Sequence, residues 1–151
     1  MKLKKATDYA FLVLSYLGRI PFGENTNNKE VARACNIPES FLANIVHSLS
    51  KSGIITTRKG INGGISLAKS SSEITLREVI EAIEGNIGLV DCLKSEGVCQ
   101  LENACSVKCF WNVQNEKILA PLNETTMKDL INFSKTVPKR CLEEAKNDAI
   151  R

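Results

Sequence analysis

Residues 28–68 hold two short helical patterns joined by a tight turn, and a glycine-rich hairpin pattern follows them directly. The first helix is expected from about Asn28 to Cys35. The second begins at Pro38, whose missing N–H costs nothing in a first helical turn, and it ends at Gly53. Its apolar stripe comprises Phe41, Leu42, Ile45, Val46 and Leu49. Two strands are expected at 54–57 and 65–68. A helix-turn-helix with a hairpin directly behind it is a winged helix, so this region restricts the fold more than any other.

An amphipathic helix is expected in front of this unit. Thr7 is the expected N-cap, and Pro21 with Gly23 follows its end. Its buried face is expected to comprise Tyr9, Leu12, Val13, Tyr16 and Leu17.

Three more helices are expected behind the wing. Thr75 and Glu78 fit a capping box at the start of the first, and Thr126 with Asp129 caps the last. Between them, a long helix is expected over about 106–122. It carries apolar residues on more than one side, while little chain remains to cover it. A second copy of the chain is therefore the expected partner.

The predicted fold class is mainly α with a small β-hairpin, a winged helix-turn-helix plus a long dimerisation helix. Four regions are expected along the chain. They are the DNA-binding winged helix at 1–84, a cysteine-rich loop at 85–105, the dimerisation helix with a short helix behind it at 106–137, and a charged tail at 138–151.

The charge of the chain is unevenly distributed. Residues 1–70 contain ten Lys and Arg against four Asp and Glu, and residues 71–151 contain ten against thirteen. A basic front half of net charge +6 indicates an anionic partner. No run approaches the roughly 20 apolar residues that cross a bilayer. Asp8 and Tyr9 interrupt the start that could imitate a signal peptide, so we expect a cytoplasmic protein without a membrane partner. With one histidine and no nucleophile–base pair, we do not expect an enzyme.

Polar side chains off the apolar stripe of the second helix are candidates for DNA contact. Asn44 could read adenine bidentately, Glu39 could accept from cytosine N4, and Lys51 would meet a phosphate. Arg58 and Lys59 would reach the minor groove or the backbone from the wing tip. For any single residue, a solvated polar face is the alternative. The full set is Glu39, Ser40, Asn44, His47, Ser48, Lys51, Arg58, Lys59, Gly60, Gly63 and Gly64, in which the glycines allow a close approach to DNA.

Four of the six cysteines follow the pattern Cys92-x6-Cys99-x5-Cys105-x3-Cys109. Structural zinc usually takes two C-x2-4-C knuckles, and the chain has no such pair. Longer gaps suit a loop around a larger object, such as an iron–sulfur cluster held by thiolates. Thiols stay reduced in the cytosol, which disfavours disulfides, while zinc and a metal-free thiol sensor remain alternatives.

Several stretches together resemble one family. They are "MKLKKATDYA", "KGINGGISLAK", "TLREVIEAIEG", the three spaced cysteines and "TTMKDLI". The chain is similar over about residues 1–135 to the winged-helix iron–sulfur transcription regulators of the IscR/NsrR type, which include the cluster assembly regulator and the nitric-oxide-sensing repressor. The resemblance implies a homodimer that binds a double-stranded operator and holds an iron–sulfur cluster, 2Fe-2S or 4Fe-4S, at its dimer interface.

The cluster ligands implied by the resemblance are Cys92, Cys99 and Cys105. The gap between the first two is one residue longer than is common among relatives. The fourth ligand is open. The assembly regulator type uses a histidine where this chain has Lys108, whereas the nitric-oxide-sensing type resembles it at "TDYA", whose Asp8 would reach the cluster from the partner subunit. Cys109 is the other candidate. Asp8 as a charge at its helix start and Cys109 as a buried small residue are the structural alternatives.

The hypothesis is a dimeric DNA-binding transcription regulator, a repressor, whose operator affinity is controlled by a bound iron–sulfur cluster. The cluster would sense nitric oxide, redox state or iron–sulfur status. A small iron–sulfur electron carrier is one alternative, although electron transfer needs neither a wing nor a basic front half. A zinc- or thiol-based regulator without a cluster is another.

Overall fold

The computed structural model describes residues 2–60, 63–101 and 104–136, so the expected charged tail at 138–151 lies outside the described residues. The described part contains seven α-helices and one two-stranded antiparallel sheet, which confirms the predicted mainly α class with a hairpin. The elements in chain order are α1 (Lys5–Leu17), α2 (Asn28–Ala34), α3 (Glu39–Lys51), β1 (Ile55–Arg58), β2 (Gly64–Leu67), α4 (Leu76–Glu84), α5 (Asp91–Lys94), α6 (Ser106–Glu124) and α7 (Met127–Thr136).

One hydrophobic core holds the winged helix together. Its fully buried aliphatic side chains come from α1, α3, α4, the hairpin and the start of α7, and each contributes about 1.5–3 kcal/mol by leaving water. Among them are Val13, Leu14, Leu42, Ile45, Leu49, Ile54, Ile55, Ile65, Val79 and Met127. Because α3 packs on both α1 and α4, the core fixes the recognition helix relative to the helices on either side of it.

The first helix differs from its predicted form in two respects. Leu12 is 49% exposed, and Ala10 and Leu14 are buried beside Val13 instead, so the buried face is rotated from the predicted one. The N-cap is Lys4, and Thr7 lies in the first turn with a buried side chain. The expected Thr7 cap is therefore wrong. Its hydroxyl is used in a contact with α4 instead of closing the helix start.

The second and third helices form the predicted helix-turn-helix. Asn36 adopts φ 53° at the turn between them, a left-handed conformation that asparagine tolerates better than most residues. Pro38 is the N-cap of α3, one residue ahead of the helix, and Gly53 at φ 71° follows its end. The expected burial of Phe41 is wrong, because its side chain is 46% exposed at the border of the apolar stripe.

The wing is the predicted hairpin, shifted by one residue in each strand. Ile55 pairs with Leu67 and Arg58 with Gly64 in antiparallel register. Thr26, in the loop before α2, bonds to Ile65 in both directions, with N···O distances of 2.9 Å. The root of the wing is therefore tied to the helix-turn-helix by this bridge.

Both predicted caps behind the wing are present. The Thr75 hydroxyl accepts from the Glu78 N–H, and the Glu78 carboxylate accepts from the Thr75 N–H, which makes a capping box. The Asp129 carboxylate accepts from both the N–H and the hydroxyl of Thr126.

The long helix α6 extends to Glu124, two residues beyond its predicted end, with Pro121 inside it. Its 19 residues span about 28 Å. Among its residues, Asn115 and Leu119 are buried against the rest of the chain. Four large apolar side chains of the helix are exposed to solvent, namely Val107, Phe110, Val113 and Ile118.

Candidate DNA interface and cysteine segment

The polar face of α3 carries the predicted DNA contacts on one exposed surface. The side chains of Glu39, Ser40, Asn44, His47 and Lys51 are exposed, while Ser48 is half-buried. The opposite side of the helix is packed into the core, so the backbone cannot rotate to hide this face. A helix anchored in this way can present amide, hydroxyl and ammonium groups to base edges and phosphates in the major groove.

The wing tip places Arg58 and Lys59 in solvent, as predicted for contacts to a groove or backbone. Gly60 adopts φ 104° with nothing near the position of a Cβ, so the turn itself requires glycine there.

Gly63 and Gly64 have a different reason to be glycine. A Cβ on Gly63 would collide with the Arg58 carbonyl oxygen, and one on Gly64 would collide with the carbonyl oxygen of Thr26. Glycine is therefore required at these two positions by the packing of the wing itself, and their close approach to DNA stays a prediction.

Two residues beside the wing were missing from the predicted interface. Asn27 and Asn28 line a surface groove together with Arg58, Lys59 and the wing glycines. The Asn27 side chain caps α2 by accepting from the Lys29 N–H at 2.8 Å. In the sequence the "NTNN" run reads as a loop, and only the bridge from Thr26 to the wing brings these amides to the tip.

The four clustered cysteines lie on the segment that runs from the end of α4, through α5, to the first turn of α6. Cys92 lies in α5 and Cys105 is the N-cap of α6, both half-buried, while Cys99 between them is exposed. Cys109 is exposed as well, so the single chain does not bury it as a small residue. Within the described ranges, no three His, Cys, Asp or Glu side chains form a group that could hold a metal ion.

The donor chemistry of this segment fits an iron–sulfur cluster. Cys92, Cys99 and Cys105 are free thiols on one segment, and thiolates are the soft ligands that iron–sulfur clusters take. The Cys105 Sγ accepts a hydrogen bond from the Lys108 N–H at 3.4 Å at the start of α6.

Asp8, the other candidate fourth ligand, is exposed in the first turn of α1. Among the described residues, no hydrogen bond or ion pair engages its carboxylate. Both fourth-ligand candidates are therefore exposed to solvent.

A buried asparagine joins the start of the cysteine segment to α6. The Asn115 Oδ1 accepts from the Leu89 N–H at 3.1 Å, and its Nδ2 donates to the Ile87 carbonyl oxygen at 3.3 Å. Asn115 is only 5% exposed, which makes it one of the few polar side chains in the interior. Sequence patterns do not reveal it, because its partners are 26 and 28 residues away.

A carboxylate at the beginning of the segment joins the end of α4 to α1. The Glu84 Oε1 accepts from the Thr7 hydroxyl at 2.5 Å and from the Lys4 N–H at 2.8 Å. Burial raises the pKa of Glu84, but these two hydrogen bonds outweigh it and hold the pKa below its usual value. Glu84 is the last residue of α4, so the cysteine segment starts where α4 is attached to α1.

Taken together, a helix-turn-helix, a basic wing and a cysteine-rich segment on a long helix define the class of winged-helix transcription regulators. Residues 3–133 match the model of the Rrf2 family, described as iron-dependent transcriptional regulators. The chain belongs to the Rrf2 family.

Relatives within this family carry a more particular name. The HTH-type transcriptional regulator NsrR of Geobacillus kaustophilus is 39% identical over 132 residues, which cover 87% of this chain and 90% of that protein. NsrR of Shouchella clausii is 38% identical over 132 residues, 87% of this chain and 89% of that protein. These names confirm a DNA-binding transcription regulator and place the chain in a non-enzyme class, as predicted.

Solved structures confirm the fold. CymR, the global cysteine regulator of B. subtilis, has a TM-score of 0.67 at 23% identity and covers 88% of this chain and 98% of its own. T. potens IscR has a TM-score of 0.64 at 20% identity, with 91% and 93% covered. No helix in the described ranges combines the length and apolar character needed to cross a membrane.

Proposed function

We propose that the chain is a homodimeric transcription repressor of the NsrR type, working in the bacterial cytoplasm, whose operator affinity depends on an iron–sulfur cluster. The ligands are Cys92, Cys99 and Cys105, with Asp8 of the partner subunit or Cys109 as the fourth. The observation that carries the proposal is the segment with three free thiols between α4 and α6, in a chain whose relatives are named NsrR. The alternative of a small electron carrier is not favoured by membership in a family of transcription regulators.

When bound, the cluster supplies a centre that is altered by nitric oxide or oxygen and lost when iron is scarce. Hydrogen bonds within the chain determine which helices are affected when the cluster is altered or lost. Asn115 attaches the start of the segment to α6, and Glu84 attaches it to α1. A rearrangement of the segment therefore acts on both helices through specific hydrogen bonds.

The path to DNA continues through packed helices. Both α1 and α4 pack against α3, whose far side is the polar DNA face. A small shift of α1 or α4 would therefore reorient the recognition helix of each protomer. In a dimer this changes the distance between two recognition helices, and operator half-sites are sensitive to that spacing.

The exposed apolar stripe on α6 supports the dimer. Val107, Phe110, Val113 and Ile118 leave large apolar surface in water, on a helix whose buried side already packs on its own subunit. A second copy of α6 offers the same stripe, so a twofold pairing buries both at once.

The test is anaerobic purification followed by absorbance spectroscopy and by iron, sulfide and zinc analysis. The proposal predicts a coloured protein with iron and acid-labile sulfide, and Cys99→Ala should lose both. Cys35→Ala is the matched control, because Cys35 is a half-buried cysteine that packs against the core of the winged helix.

A colourless protein with one zinc and no sulfide would contradict the proposal and favour the zinc-based regulator. A metal-free protein whose DNA binding responds to thiol oxidants would favour a thiol sensor instead.

A further inference from the structure

Lys5, the first residue of α1, lies on the side of that helix that faces α3. Its ammonium is 5.5 Å from the centroid of the Tyr9 ring, one turn further along. That distance is within the range of a cation–π contact. The Tyr9 ring meets the Phe41 ring edge to face, with centroids 5.9 Å apart and an interplanar angle of 84°. Through these two contacts the Lys5 ammonium is linked to the first turn of the recognition helix.

The two neighbouring lysines are directed elsewhere. Lys2 and Lys4 line a cleft of about 490 Å³ that is bounded by α4, α6 and the loop between α4 and α5. Of the three N-terminal lysines, Lys5 is the one held toward α3. No described acidic side chain forms an ion pair with it, so its charge is available to another partner.

The exposed ring of Phe41 lies on the surface where the start of α1 meets the start of α3. Phe41 lies in the first turn of α3 next to Ser40, at the edge between the buried stripe and the polar DNA face. A phenyl ring that is 46% exposed at this edge, with an aromatic partner on α1, extends the recognition surface from α3 onto the start of α1.

We propose that Lys5 contacts a phosphate of the bound DNA beside the recognition helix, and that the Tyr9–Phe41 pair positions it. When a recognition helix lies in the major groove, the sugar–phosphate backbone at the groove edge runs past the flanks of that helix. Phosphate is the complement of an unpaired ammonium, and such contacts fix the register of a protein on the duplex. The proposal depends on DNA binding by this chain and not on the cluster.

The experiment is the salt dependence of DNA binding, measured by fluorescence anisotropy on the protein as purified anaerobically. The probes are a duplex from the chain's own promoter region and a random duplex of the same length. Because each phosphate contact contributes about 0.9 to the slope of log affinity against log salt, Lys5→Ala should make the slope less negative by about 0.9 for each protomer bound. For one contact, the advantage of the unmodified protein over Lys5→Ala then shrinks about 3.5-fold between about 50 and about 200 mM salt.

Lys4→Ala is the matched control, because it removes the same charge one residue away, from a side chain in the α4–α6 cleft. It should leave the slope unchanged, and Lys5→Arg should retain the slope of the unmodified protein. In a Tyr9→Leu background, Lys5→Ala should have a smaller effect, because the ammonium is no longer positioned.

Several outcomes would overturn the proposal. An unchanged slope in Lys5→Ala would exclude the phosphate contact. Equal changes of slope in the Lys4 and Lys5 variants would mean that both lysines act through the general positive potential of the protein, without a specific contact. A Lys5→Ala protein that loses its dimer in sedimentation would assign Lys5 to a second copy of the chain. A full Lys5 effect in the Tyr9→Leu background would refute the positioning role. A colourless preparation would refute the proposed cluster, but the lysine comparison on that same preparation would still decide this proposal.

Discussion

Replacing Asn115 with alanine should detach the start of the cysteine segment from α6. The substitution removes both side-chain hydrogen bonds and leaves the Leu89 N–H and the Ile87 carbonyl without these partners. A net contribution of about 1 kcal/mol for each bond is typical, and an unpaired buried group costs about 1–3 kcal/mol. Because Leu89 is exposed and Ile87 half-buried, water can replace part of what is lost. We therefore expect a loss of about 1–2 kcal/mol in the free energy of unfolding.

The assay is urea or thermal unfolding of the reduced, metal-free protein at a fixed protein concentration. The expected loss corresponds to a decrease in Tm of about 2–8 °C for a chain of this size. Hydrogen exchange should locate the effect, with about tenfold or greater loss of protection at the Leu89 amide and little change in the core of α3.

Asn112→Ala is the control for Asn115→Ala, since Asn112 is an exposed asparagine one turn earlier on α6. Equal stability of the two variants, or retained protection of the Leu89 amide in Asn115→Ala, would refute the role assigned to Asn115.

Three further predictions follow from individual contacts. The pKa of Glu84 lies below its unfolded value, so its carboxylate stabilises the fold above the unfolded pKa, and this contribution is lost as pH falls through the folded pKa. Glu84→Gln should therefore flatten the acid side of the curve of unfolding free energy against pH. An unchanged curve would refute the junction between Glu84 and α1. Gly64→Ala should cost about 1 kcal/mol or more, because of its φ of 152° and the collision with Thr26, and should weaken DNA binding in anisotropy titrations; stability and affinity equal to those of the unmodified protein would contradict it. Asp8→Ala should perturb the absorbance spectrum or the stability of the cluster more than Cys109→Ala does, and the reverse order would assign the fourth ligand to Cys109.

The winged helix could be predicted because its signals are local. Apolar periodicity in α3, glycines around the hairpin and the Thr75 capping box each act over a few residues, and all are present in the structure. The errors occur where a long-range contact changes a local preference. Thr7 would suit an N-cap, but its hydroxyl bonds to Glu84, 77 residues away.

The buried faces of α1 and α3 show the same limit. Periodicity alone assigns Leu12 and Phe41 to the apolar faces of their helices. In the structure both side chains are about half exposed, because the neighbouring helices do not cover them fully. Phe41 finds its partner in Tyr9 on α1, which no pattern within α3 could indicate.

The candidate cluster site also has one part that could be predicted from the sequence and one part that could not. The order and spacing of Cys92, Cys99 and Cys105 are properties of the sequence, and their resemblance to a family could be recognised there. The attachment of their segment through Asn115 and Glu84 depends on the packing of α1, α4 and α6. That packing emerges only from the folded chain.

The central claim is that the state of an iron–sulfur cluster sets operator affinity. Its most direct test is an anaerobic titration of the chain's own promoter duplex with the cluster-containing protein, repeated after nitric oxide treatment and after removal of the cluster by a chelator. The account predicts that the cluster-containing dimer binds at least about tenfold more tightly than either treated form, a coupling of about 1.4 kcal/mol or more. Equal affinities before and after treatment, with a random duplex bound more weakly throughout, would leave a DNA-binding protein but contradict control by the cluster.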